Sequence, residues 1–154
     1  MRPRNFLKLF NHCRGFAANF HRDQINEMDI EKGVTAYSQD LLEELDRELS
    51  DVFPVAKDLL YYFLDAPAVL SSAQLDSILG EGKIDKSERE KVTDFLLYYG
   101  VLGTRLKDQE FFIYSVNYDL RVLKIRAQRH IGTADYVINP AFWPALGVKP
   151  AVAP

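Results

Sequence analysis

Two arginines flank a proline at the start of "MRPRNFLKLFNHCRGFA", directly ahead of a periodic apolar stretch. A guanidinium at the start of a helix gains nothing from the helix dipole, whose positive end lies there. Its planar, multidentate donors suit phosphate instead, so Arg2 and Arg4 are candidate anion ligands. A second cationic set, Arg121, Lys124, Arg126 and Arg129 with His130 beside it, spreads over the outward side of a predicted helix. Such a face could meet DNA or a protein partner, although cations near a helix C-terminus also stabilise it by about 0.3–1 kcal/mol each.

Other reactive-looking residues fail the spacing tests of their chemistries. "SILGEGKI" contains Gly82 and Lys83, but a phosphate loop requires glycine where Ser77 stands and serine or threonine where Ile84 stands. His12 and Cys13 are adjacent on a predicted helix and diverge, and His21 and His130 have no histidine or cysteine at ligand spacing, so no metal site is expected. The pairs Glu43 with Glu44 and Glu88 with Glu90 fall on outward helix faces, where charge is the default. With no nucleophile and base set, the chain is not expected to be an enzyme by itself.

The elements that must position these groups follow from hydrophobic period. Phe6, Phe10, Cys13, Ala17 and Phe20 make one stripe of a helix over 5–20, with Pro3 in its first turn. Ile30, Val34, Tyr37, Leu41, Leu45 and Leu49 make a second, which Pro54 ends and which Gly33 or Ser38 could break in two. A third helix is predicted over 54–65 with Leu59, Leu60, Phe63 and Leu64 inward. Ser71 with Gln74 and Asp85 with Glu88 have capping-box spacing and open a short helix to Leu79 and another over 86–99. The latter buries Val92, Phe95, Leu96 and Tyr99 and ends at Gly100. "VLGTRL" and "FFIYSV" around "KDQE" read as a hairpin. Tyr118 to Ile131 is a sixth helix with Leu120, Leu123, Ala127 and Ile131 on one face, "DYVIN" a short strand, and "PAFWPALGVKPAVAP" too proline-rich for regular structure. Three helices and then a hairpin is the order of a winged helix.

The 154 residues carry 47% hydrophobic and 27% charged side chains, so a packed core rather than disorder is expected. The net charge of -3 conceals an asymmetry, since residues 117–154 carry five basic and two acidic side chains and the rest of the chain is acidic; a generally basic nucleic-acid-binding domain is not indicated, although a local basic face near the end remains open. One cysteine allows no internal disulfide, and neither a signal peptide nor a membrane span is evident, so a cytoplasmic chain with no membrane partner is expected.

"RPRNFLKLFNHCRGFA", "INEMDIEKGVTAYSQDLLEELDREL", "LLYYGVLGT", "FIYSVNYDL" and "YVINPAFWPALG" together resemble the C-terminal region of bacterial P-loop ATPases of the AAA+ and STAND type. The resemblance implies a mainly α fold with a small β component. A helical lid-like subdomain over 1–53 would precede a winged-helix domain with a β-hairpin wing over 54–147, and 148–154 would form a flexible tail. It also implies that an arginine starting the lid helix senses the γ-phosphate of ATP, the role called sensor 2; Arg4 matches best by position and Arg2 second. Walker motifs and sensor 1 are missing, so ATP and Mg are implied only with an ATPase domain upstream, and the abrupt start predicts a piece of something larger.

The leading expectation is therefore a regulatory module that couples nucleotide state to assembly or partner recognition, with the upstream domain and a protein partner or homo-oligomer as its contacts. The rivals are a free-standing winged-helix DNA-binding regulator acting through Arg121, Lys124, Arg126 and Arg129, and an oligomerisation scaffold using aromatic surface near Phe142 and Trp143.

Overall fold

The long second helix organises the molecule. The computed structural model describes residues 3–128 and 134–149, and helix α2 (Glu27–Val52) runs through it unbroken. Asn26 caps it reciprocally: its side chain accepts the Asp29 N–H at 3.0 Å, and the Asp29 carboxylate accepts the Asn26 N–H at 3.0 Å. The expected break at Gly33 or Ser38 is absent because both small residues serve packing. A Cβ on Gly33 would strike Cys13 Sγ and lie 2.9 Å from the Cys13 backbone nitrogen, so glycine lets α1 (Pro3–Asn19) approach α2 closely. Ser38 Oγ accepts the N–H of Ala145 at 3.1 Å, tying the end of the chain to the middle of α2.

The two helical stripes are narrower than their periods imply. On α1, Cys13 and Ala17 are buried while Phe6, Phe10 and Phe20 are exposed, because α2 is the element α1 chiefly packs against and one neighbour covers only a narrow arc. On α2, Tyr37, Leu45 and Leu49 are buried as expected, but Ile30 is exposed and the carboxylate of Asp29 takes the inner position.

The predicted helix over 54–65 is replaced by two 3-10 turns, Pro54–Ala56 and Leu59–Phe63. Asp46 is the reason. Its carboxylate accepts the backbone N–H groups of Asp58 at 3.1 Å and Leu60 at 3.2 Å, amides that a continuous helix would direct to its own carbonyls. Asp58 between the turns is left-handed, with φ 62°. Leu59, Leu60 and Phe63 are buried as expected, whereas Leu64 is exposed.

Strand β1 (Val69–Leu70) leads into α3 (Ser72–Glu81), whose Ser71 and Gln74 form the expected capping box. Helix α4 (Arg89–Tyr98) starts later than residue 86, and Glu88 caps nothing; its N–H instead closes a turn onto the Asp85 carbonyl at 2.8 Å. Val92, Phe95 and Leu96 are buried as expected, but Leu97 takes the inward place assigned to Tyr99. Gly100, at φ 73°, ends the helix in the left-handed region that glycine adopts most readily.

The hairpin forms from β2 (Leu102–Leu106) and β3 (Gln109–Phe111) around Lys107 and Asp108. Its second arm is shorter than "FFIYSV" suggests, because Ile113–Val116 coils into a 3-10 turn. Helix α5 (Leu120–Gln128) begins after two left-handed residues, Asn117 and Tyr118; the expected Ile131 and Gly132 end lies outside the described residues. "DYVIN" supplies β4 (Ala134–Ile138).

The antiparallel sheet has the order β1-β4-β2-β3. Strand β4 separates β1 from the hairpin, pairing Val69 with Val137 on one side and Thr104 with Tyr136 on the other. The proline-rich end is also more regular than expected: a 3-10 turn (Pro140–Phe142) and helix α6 (Trp143–Leu146) follow. Phe142 is buried and so adds nothing to the open aromatic surface the scaffold reading assumed, while Trp143 is half-buried and donates its indole N–H to the Ile138 carbonyl at 2.8 Å. Among the described residues 64% are helical and 10% are in strands, a mainly α fold with a small β component. One apolar core joins Leu42, Leu45 and Leu49 of α2 to Phe63, Leu96, Leu102 and Leu146, and so continues across Pro54.

Candidate functional site

Pro3 begins α1 and places Arg4 in its first turn, as the sequence leads one to expect. Arg2 and the side chain of Arg4 lie outside the described residues, so what the structure places is the helix that starts at Pro3. α1 is fixed to α2 at three levels. Lys8 donates to Glu44 at 2.8 Å, His12 contacts Asp40 at 2.9 Å, and Cys13 sits against Gly33.

At the far end of the hairpin, Arg22 pairs with the fully buried Asp29. Burial pushes the Asp29 carboxyl up, but the Asn26 amide, the Arg22 guanidinium and the charge of Lys32 outweigh it and hold it below the usual aspartate range. Arg22 and Lys32 also lie 4.9 and 4.8 Å from the centre of the Phe20 ring, within cation–π range. The connection between the helices is thus braced by charge, and the start of α1 is carried on a stiff hairpin.

Among the described residues the cations of the second candidate face are engaged. Lys124 of α5 reaches back to α4, donating to Asp94 at 2.8 Å and Glu90 at 3.0 Å, and both hydrogen bonds raise its pKa. Arg121 is exposed but forks onto Asp119, which lies two residues before it. The Arg126 guanidinium lies 4.6 Å from the centre of the Phe111 ring; Arg129 and His130 lie outside the described residues. On α4, Arg89 is turned to Asp76 of α3, 2.6 Å away, and to the Ile84 carbonyl at 3.0 Å.

These pairs line a cleft of about 300 Å³ between α3, α4, α5 and β4, bordered by Asp76, Arg89, Asp94, Lys124 and Tyr136 over Leu79 and Leu97. Its two cations are matched inside the cleft by Asp76, Glu90 and Asp94. Helix α5 therefore covers one flank of α4, the helix that a DNA-binding winged helix would leave open for the major groove.

The remaining candidates resolve structurally. Gly82 and Lys83 form the turn ending α3, where a Cβ on Gly82 would strike the Leu59 side chain; this is a helix end packed on a core residue. Among the described residues no group of three His, Cys, Asp or Glu side chains could hold a metal ion, and Cys13 is a buried free thiol. Glu44 and Glu90 hold lysines. Sequence reasoning missed the two buried carboxylates, Asp29 and Asp46. For Asp29 the signal was present as Asn26 three residues before an acid; for Asp46 the partner amides are 12 and 14 residues away and leave no local trace.

Residues 1–46 match the family described as the FunZ-associated C-terminal helical domain. The matched stretch comprises α1 and α2 as far as Asp46, less than a third of the chain. It makes this helical pair similar to a C-terminal module of a larger protein. No curated protein and no solved structure matches the chain. Among the described residues no helix is long and apolar enough to cross a membrane.

Proposed function

We propose that the chain is a non-catalytic regulatory module of a larger P-loop ATPase, in which the α1–α2 hairpin acts as a lid on nucleotide and the rest of the chain recognises a partner. The observation that carries this reading is the coincidence of three features in one element. The stretch similar to a C-terminal helical domain is the α1–α2 hairpin, its first turn carries Arg4, and the hairpin is braced at both ends so that motion of its body would be transmitted to that arginine. ATP and Mg would be held by a domain ahead of Met1, and Arg4, with Arg2 second, would meet the terminal phosphate as charge-assisted donors.

The test is Arg4→Ala in a polypeptide that includes the upstream ATPase domain. Loss of a hydrogen bond to a charged group costs about 1.5–3 kcal/mol, so nucleotide affinity falls by roughly 10- to 100-fold. Residues 1–154 alone hydrolyse no ATP. An Arg4→Ala variant with unchanged affinity and hydrolysis would overturn the sensor assignment.

A further inference from the structure

The cleft between α3, α4, α5 and β4 holds about 300 Å³, at the lower end of the range of small-ligand sites. Leu75, Leu79, Leu97 and Ala127 line it, a surface that takes a short hydrocarbon stem out of water. The charge around it does not balance. Asp76 and Arg89 pair one to one, whereas Lys124 is shared between two carboxylates, Glu90 and Asp94. Among the described residues three acids therefore face two cations across the cleft, and the uncompensated negative charge falls on the side of Glu90 and Asp94. Lys124 occupies Oε1 of the first and Oδ2 of the second. Glu90 Oε2 and Asp94 Oδ1 accept no hydrogen bond from a described residue.

Two hydroxyls at the same place are also unused. Burial raises the pKa of Tyr136, the negative charge of Asp94 raises it further and Lys124 opposes them, which sets the phenol beside this group. No described residue hydrogen-bonds to it. Thr104 pairs across the sheet with Tyr136, so the two side chains share the face on which the cleft lies. Thr104 is 1% exposed and its Oγ1 has no hydrogen-bond partner, a costly state for a buried hydroxyl. The sheet thus brings unsatisfied polar groups to the end of the cleft that carries the spare charge.

We propose that this cleft binds an organic cation, an ammonium or guanidinium group on a short apolar stem. The stem lies against Leu75, Leu79 and Leu97, and the cation takes the spare oxygens of Glu90 and Asp94 beside the Tyr136 hydroxyl. An anion finds no such place, because it would have to draw Arg89 or Lys124 away from the carboxylates that hold them. The same chemistry is carried by a free alkylamine and by a lysine or arginine side chain of a partner polypeptide. The described residues that border the cleft all lie outside α1 and α2, so the inference stands apart from the nucleotide role.

Titration of the isotope-labelled chain with hexylammonium, hexanol and hexanoate at constant ionic strength, followed by amide chemical shifts, tests it. Hexylammonium moves the amides of Thr93, Asp94, Lys124 and Tyr136 in a saturable way. Hexanol, which has the stem without the charge, binds more weakly, and hexanoate does not bind. Glu90→Gln, at a side chain 79% exposed, lowers the affinity for hexylammonium by about 2- to 5-fold and leaves that for hexanol unchanged. A tripeptide amide with lysine between two leucines identifies the source: saturation at a lower concentration than hexylammonium assigns the site to a polypeptide side chain, and at a higher one to a free amine. Equal binding of the ammonium and the carboxylate, no saturable shift at these amides, or an affinity for hexylammonium that Glu90→Gln leaves unchanged would overturn the proposal. Asp94→Asn replaces Glu90→Gln if the spectrum of the unliganded variant shows a perturbed fold.

Discussion

Asp29 is the residue on which the hairpin connection turns. It is fully buried, yet it serves two purposes at once: it accepts the Asn26 amide to close the cap of α2 and it pairs with Arg22. Its folded-state pKa is lowered, so its ionised form contributes stability above the ordinary aspartate pKa, and that contribution is lost as pH falls through the lower folded value. Asp29→Asn therefore melts at a lower temperature than the wild type at neutral pH, and the difference narrows as pH drops below about 4. Thermal unfolding followed at a series of pH values checks this; a gap that stays constant into the acid range would show that the carboxylate charge is irrelevant. A mean hydrophobic period could not reveal this residue, because the inner position it takes on α2 adjoins that of an apolar candidate, Ile30, which the structure leaves in water.

Among the elements, those governed by local rules were legible and those governed by distant partners were not. Ser71 and Gln74 capped α3 as their spacing requires, Gly100 ended α4, and the turn residues produced the hairpin. The segment after Pro54 has helical composition but coils into 3-10 turns because Asp46 claims two of its amides. Asp46→Ala leaves the Asp58 and Leu60 amides without that acceptor. Leu60 is buried, so its unpaired amide costs about 1–3 kcal/mol, whereas the amide of the exposed Asp58 turns to water; the variant destabilises the protein by roughly 2 kcal/mol, which denaturant unfolding measures directly. A cost below about 0.5 kcal/mol would mean that these turns are set by Pro54 and the apolar contacts of Leu59, Leu60 and Phe63 instead. The basic stripe of α5 illustrates the same limit. Its cations are visible in the sequence, but that Glu90 and Asp94 on another helix engage Lys124 is a tertiary fact.

At the scale of the whole molecule, the mainly α composition and the succession of helices and hairpin were readable from period and punctuation. The sheet order was not, because β4 enters between β1 and β2 from beyond α5 and nothing in its own residues specifies those neighbours. Core and site candidates are arranged so that α2 links everything. α1 packs along it from Gly33 to Glu44, and Leu42, Leu45 and Leu49 lie in the same core as the sheet, α4 and α6. A displacement of α1 would therefore reach the body of the chain through one stiff element, as coupling between a nucleotide and a distant partner surface requires. Hydrogen exchange over α1, in a polypeptide that includes the upstream ATPase domain, with and without ATP, tests that claim most directly. ATP is expected to increase the protection of amides within 3–19, and Arg4→Ala to abolish the increase. Identical exchange across α1 in the two states would contradict a lid role for this hairpin.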